Sequence, residues 1–149
     1  MDNKIKDILD YAIGKEAEAA FCYEQASESA KSPVTKQIFK EMAAMERGHK
    51  QKLEKISQEA INKYVFEDVA DLKIGDYMVD KAFKPNMPYG EILVLAIKNE
   101  EKARDLYNCI AKKCAEPDTK KVFEILAQEE SKHKLDLESE YDEDILVEN

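Results

Sequence analysis

The sequence predicts an all-α fold: a four-helix bundle with one long crossover between its second and third helices and an internal two-fold repeat. Only 4 Gly and 4 Pro stand in 149 residues. That is too little turn chemistry for a β protein, in a chain otherwise rich in Ala, Glu, Lys and Leu. Apolar residues recur at steps of three and four, the helical period. The breaks are few and unequal, with short ones at Lys31-Ser32-Pro33 and Ala115-Glu116-Pro117 and a long one between about Asn62 and Met87. Two helices joined tightly, a long connection and two more joined tightly make the chain order of a bundle with a single crossover.

Each element has its own signature. In the first helix Ile5, Leu9, Ala12, Ala19, Tyr23, Ala26 and Ala30 share a face. Ser32 is placed to cap the second helix and Pro33 to occupy its first position, where a missing N–H costs nothing. The second helix carries Ile38, Phe39, Met42, Met45, Leu53 and Ile56 on its core stripe. The third begins near Pro88 with Ile92, Ala96, Ala103, Tyr107 and Ile110, and the fourth carries Val122, Phe123, Leu126 and Leu137. The connector holds Gly75, Pro85 and Pro88 and predicts a short helix near Ile74 to Ala82. The whole of 1–149 reads as one domain, with repeat halves at about 5–60 and 89–144 and the crossover at about 62–87.

A chain of this length buries roughly 68–70% of its unfolded surface, enough for a core without staples, so a metal here would be functional. The net charge is −9, and its Lys and Arg are interspersed with Glu, which argues against a nucleic-acid partner. The longest apolar run, Ile92 to Ile97, is far short of the ~20 residues of a membrane span. The start, Met1-Asp2-Asn3-Lys4, lacks the pattern of a secretory signal, so a cytoplasmic location is expected. Cys22, Cys109 and Cys114 form no Cys-x-x-Cys pair and read as reduced thiols, buried or half-buried.

The repeat locates the chemistry. At an offset of 84 residues, Ile8–Glu54 matches Ile92–Glu138 at 17 of 47 positions without a gap, where chance gives about three. The matches include Glu16/Glu100, Tyr23/Tyr107, Glu46/Glu130 and His49/His133. Glu16 and Glu100 lie inside the apolar stripes, four residues after Ala12 and Ala96. Glu46 and His49 stand one turn apart between Met42 and Leu53, and Glu130 and His133 do the same between Leu126 and Leu137.

Four carboxylates in a bundle core cost several kcal/mol each unless neutralised. Two divalent cations balance them, and one imidazole per ion completes a mixed oxygen and nitrogen set suited to iron or manganese. A lone Glu-x-x-His is a weak signal. Two copies in register, each paired with an inward Glu and together using the chain's 2 histidines, outweigh the alternative of an empty polar network. Glu101 adjoins Glu100 and Glu129 adjoins Glu130, and register and spacing favour Glu100 and Glu130. Tyr23 and Tyr107, two turns beyond Glu16 and Glu100, read either as hydroxyl donors to a ligand carboxylate or as plain core aromatics. Met42 and Met45 read as core filling. Gly48 reads as room for a close neighbour or a small ligand, with Lys132 at the matching position.

With these residues in place the sequence resembles the ferritin-like di-iron carboxylate proteins, and within them the rubrerythrin group, over nearly its whole length; the pattern of a Glu on two helices and Glu-x-x-His on the other two is the known pattern of the class. The resemblance implies a ferritin-like bundle holding two Fe ions, with Mn as the alternative, on Glu16, Glu46, His49, Glu100, Glu130 and His133. It also implies an oxidoreductase that reduces hydrogen peroxide or dioxygen in defence against oxidative stress. This sequence lacks the two Cys-x-x-Cys knuckles of the rubredoxin domain that rubrerythrins carry, which implies an external electron donor such as a rubredoxin. Ala103 stands where rubrerythrins place an extra Glu, leaving the six-ligand pattern of bacterioferritin-type sites. The runner-up is a ferroxidase for iron storage, and a third reading is a non-catalytic metal-binding protein. Bundles of this type commonly form homodimers.

Overall fold

In the computed structural model, which describes residues 4–60, 72–79, 81–84 and 86–148, the apolar stripes form four long helices: α1 (Lys4–Ser29), α2 (Pro33–Ala60), α3 (Tyr89–Lys113) and α4 (Pro117–Glu148). The tight breaks work as their residue types dictate. Ser32 Oγ accepts the Thr35 N–H at 3.0 Å and caps α2. At the matching break the Glu116 carboxylate accepts the N–H groups of Asp118 and Thr119 at 3.0 and 2.7 Å, a longer side chain doing the same work for α4. Pro117, like Pro33, occupies the first helical position.

The helices pair as hairpins, α1 with α2 and α3 with α4, and the hairpins meet through α1 with α3 and α2 with α4. Tyr23 reaches Glu100 while Tyr107 reaches Glu16, so α1 and α3 run antiparallel. His49 lies against Glu130 and His133 against Glu46, which makes α2 and α4 antiparallel too. The repeat is therefore a pseudo-two-fold axis through the middle of the bundle. It also explains the long crossover. With those directions α2 ends at the end of the bundle opposite to where α3 begins, and α3's 25 residues span about 37 Å, far beyond a hairpin turn.

Two apolar clusters sit on either side of the axis. One gathers Ile8, Leu9, Leu53, Ile110, Phe123 and Leu126; the other gathers Cys22, Ala26, Phe39, Met42, Ile92, Leu93 and Leu137. Repeat partners such as Phe39 and Phe123 fall in opposite clusters. The crossover joins the two ends, with Leu72, Ile74 and Tyr77 packed on the first cluster and Phe83 and Met87 on the second. Its helix is shorter than the sequence predicts, a single 3-10 turn at Ile74–Tyr77 followed by extended backbone at Met78. Asn86, at φ 64°, makes the turn into α3 in the left-handed region that asparagine tolerates. Residues 61–71, 80 and 85, including part of the predicted connector and its Pro85, lie outside the described residues. Among the described residues no helix is long and apolar enough to cross a membrane.

Three sequence expectations are corrected. Ile38 and Met45 are 41% and 40% exposed. At 3.6 residues per turn they lie about 80° and 100° round α2 from Glu46, so they flank the buried stripe while Met42 stays inside it. Gly48 admits no close neighbour, since a Cβ built there meets nothing within 4 Å.

Two stability effects follow. Phe123→Ala empties a fully buried position and is expected to cost about 3–5 kcal/mol. Gly48→Ala adds a helix-favouring methyl in open space and is expected to stabilise by about 0.5–1 kcal/mol. Urea denaturation followed by circular dichroism measures both.

Candidate metal centre

Between the two apolar clusters the helices deliver six polar side chains to one point. α1 gives Glu16, α2 gives Glu46 and His49, α3 gives Glu100, and α4 gives Glu130 and His133; none is more than 4% exposed. They form two overlapping groups able to hold a metal ion. Glu16, Glu46, His49 and Glu130 make one, and Glu46, Glu100, Glu130 and His133 make the other, the ligand atoms in each lying within 4.8 Å of one another. Glu46 and Glu130 belong to both. His49 Nδ1 is 2.8 Å from Glu130 Oε1 and 3.5 and 3.6 Å from Glu46 Oε2 and Glu16 Oε2. His133 Nδ1 is 2.7 Å from Glu46 Oε1 and 3.7 Å from Glu100 Oε1. The two rings lie 6.4 Å apart at 23°.

The donors suit a cation pair. Glu16 Oε2 and Glu100 Oε2 are buried without a hydrogen-bond partner among the described residues, a costly state for a carboxylate oxygen unless a cation meets it. Their other oxygens are held from across the axis, since the Tyr23 hydroxyl donates to Glu100 and the Tyr107 hydroxyl to Glu16. Each tyrosine thus orients the carboxylate of the opposite half. Burial, with the charges of Glu100 and Glu16 respectively, pushes both phenols well above their ordinary range, so both stay protonated.

Without metal, protons take the place of the cations. Burial and the charges of Glu100 and Glu16 raise Glu46 well above the carboxylate range, and burial with the charges of Glu100, Glu16 and Glu46 does the same to Glu130. Burial opposes the charged imidazoles, but carboxylate neighbours outweigh it. Glu16 and Glu46 hold His49 up at about 11, and Glu100 and Glu46 hold His133 up at about 10. Glu16 goes the other way, its burial outweighed by bonding to Glu46, His49 and Tyr107.

The neighbours left open by the sequence separate clearly. Glu101 is exposed, about 100° round α3 from Glu100. Glu129 is 29% exposed at its side chain and places Oε2 2.5 Å from His49 Nε2, the ring nitrogen that faces away from the cluster. Sequence reasoning assigned Glu129 no part, and its only signal was the broken repeat, since the matching residue is Met45. On the α1 and α3 side a small cavity of about 20 Å³ is lined by all four buried glutamates, Ala19, Ala103, Asn99 and the crossover's Phe83. At its rim Lys15 and Glu18 form a 3.2 Å ion pair.

Comparison with known proteins agrees with this geometry. The family model described as Rubrerythrin matches residues 7–84 and 91–144. A solved structure of a hypothetical protein from Pyrococcus furiosus superposes with a TM-score of 0.74 at 22% identity, covering 91% of this chain and 86% of that one; at that identity the likeness is one of fold. No curated protein matches the sequence.

Since imidazole must be deprotonated to bind a metal, the raised values at His49 and His133, about 11 and about 10, carry a pH signature. Loading two divalent cations at pH 7 is expected to release at least two protons per chain, one from each imidazole, and binding is expected to tighten as pH rises. Calorimetry in two buffers of different ionisation enthalpy counts the protons. In the metal-free protein the stabilisation from these imidazolium ions is fully present below their ordinary value of 6.5 and is lost as pH rises through about 10 to 11.

Proposed function

Because the chain belongs to the rubrerythrin family, and because its buried carboxylates and imidazoles form two groups that share Glu46 and Glu130, we propose that it is a di-iron carboxylate oxidoreductase. It reduces hydrogen peroxide or dioxygen with electrons from an external donor such as a rubredoxin, in defence against oxidative stress. The shared pair carries the reading. Two carboxylates common to both groups suit a pair of neighbouring ions better than two separate ones. Glu46 and Glu130 would bridge them, Glu16 with His49 would hold one end, and Glu100 with His133 the other; manganese fits the same donors. A pair of ferrous ions held by these residues would supply two electrons, one from each ion, for reducing a small oxidant.

The protein's share is placement and exclusion. Tyr23 and Tyr107 hold Glu100 and Glu16 in orientation and keep a phenolic proton beside each. The cavity on the α1 and α3 side favours a small oxidant. Its volume of about 20 Å³ is room for about one water, and the Phe83 ring forms part of its wall. Dioxygen and hydrogen peroxide approach that size, and organic molecules do not.

Elemental analysis of protein purified without oxygen is expected to find about two irons or manganese ions per chain, falling sharply in Glu46→Ala and His133→Ala, with peroxide consumption that requires an added donor. No stoichiometric metal after anaerobic reconstitution overturns the proposal. A hollow shell holding iron well above two per chain replaces it with storage. Phe83→Ala is expected to leave metal content unchanged and to admit cumene hydroperoxide, which the wild type turns over poorly; equal use of that substrate by both proteins overturns the size filter.

A further inference from the structure

The pseudo-two-fold axis gives the two imidazoles the same inward environment but not the same outward one. Both turn Nδ1 to the cluster. Behind His49, Nε2 meets the Glu129 carboxylate at 2.5 Å. Behind His133 the repeat places Met45 in the position of Glu129, and among the described residues the structure gives His133 Nε2 no carboxylate partner. Instead His133 forms part of the wall of an open groove of about 450 Å³ between α2 and α4, with Val34, Ile38, Met45 and Asp136. A thioether is a weak acceptor and carries no charge.

This difference acts on the inward nitrogen. A carboxylate accepting the Nε2 proton fixes the tautomer whose lone pair sits on Nδ1, locks the ring's orientation and makes the ring a stronger donor. Glu129 also adds a fifth carboxylate, in direct contact with the His49 ring. We propose that the two metal positions are inequivalent, and that Glu129 makes the position held by Glu16 and His49 the tighter one. Glu129 is a positioning residue, acting through His49 without touching the cluster. The inference rests on the two-metal reading of the centre.

The test is a titration of metal-free protein with Co²⁺, followed by calorimetry and by visible absorption, with the imidazole ¹⁵N resonances identifying which ring is engaged first. The chain's 2 histidines make that assignment direct. The wild type is expected to bind in two steps separated by about 10–100-fold in affinity, the usual scale for such outer partners, with His49 engaged first. Glu129→Met is expected to weaken the first step until the two merge. Met45→Glu, a substitution at an exposed position, is expected to strengthen the second, and the double variant to reverse the order. Glu129→Gln, which keeps an acceptor but not the charge, is expected to fall between wild type and Glu129→Met. Two equal steps in the wild type, or a spacing unchanged in Glu129→Met with the fold intact by circular dichroism, overturn the inference and leave the two-metal reading standing. No Co²⁺ bound at all overturns both.

Discussion

Four carboxylates held within a few ångströms of one another, at the middle of an apolar bundle, set the terms for everything around them. Bulk water does not reach them there, and like charges at that separation repel strongly in a medium of low dielectric. The protein meets this with two imidazoles held toward their charged form, with Glu46 and Glu130 pushed well above the carboxylate range, and with phenolic hydroxyls on Glu100 and Glu16. A pair of divalent cations satisfies the same demand with fewer protons. Metal binding and proton release are therefore two views of one charge balance. The buried oxygens of Glu16 and Glu100 that have no hydrogen-bond partner among the described residues mark where that balance is incomplete without metal.

The two-fold repeat distributes the work evenly where it is intact. Each hairpin contributes one inward Glu, one Glu-x-x-His and one tyrosine, and each tyrosine steadies a carboxylate of the other hairpin, so neither half builds the centre alone. The apolar clusters on either side provide rigidity, with Phe39 and Phe123 packed near Tyr23 and Tyr107 at 6.1 Å between ring centroids in each case. A centre carried on four packed helices holds its donors more tightly than one carried on loops.

Where the repeat is broken, the two sides of the centre differ. The described part of the crossover packs on one side of the centre only and puts Phe83 in the wall of the small cavity on the α1 and α3 side. On the opposite side, α2 and α4 differ at the residue before each buried Glu, a methionine in one and a glutamate in the other. One break shapes access and the other shapes what stands behind a single imidazole.

The six inward donors were legible in the sequence because their signal is local and duplicated. Glu-x-x-His spans one helical turn, Glu16 and Glu100 interrupt apolar stripes, and the offset of 84 residues repeats the whole pattern. Helix number, the cap at Ser32 with Pro33 behind it, the break before Pro117, and the need for one long connection followed from the same local rules, whereas the Glu116 carboxylate as the cap of α4 emerged only in the structure. Periodicity, however, gives only the angle of a residue about its own helix, and a neighbouring helix decides what covers that angle. Sequence could not show that Ile38 and Met45 face an open groove, that Gly48 meets nothing among the described residues, or that Ile74–Tyr77 makes a 3-10 turn and not a longer helix. Nor could it show that Glu46 and Glu130 are shared between the two groups while Glu129 stands behind His49. Those facts depend on the antiparallel pairing of α1 with α3 and α2 with α4, a contact between residues some eighty positions apart that tertiary packing alone determines.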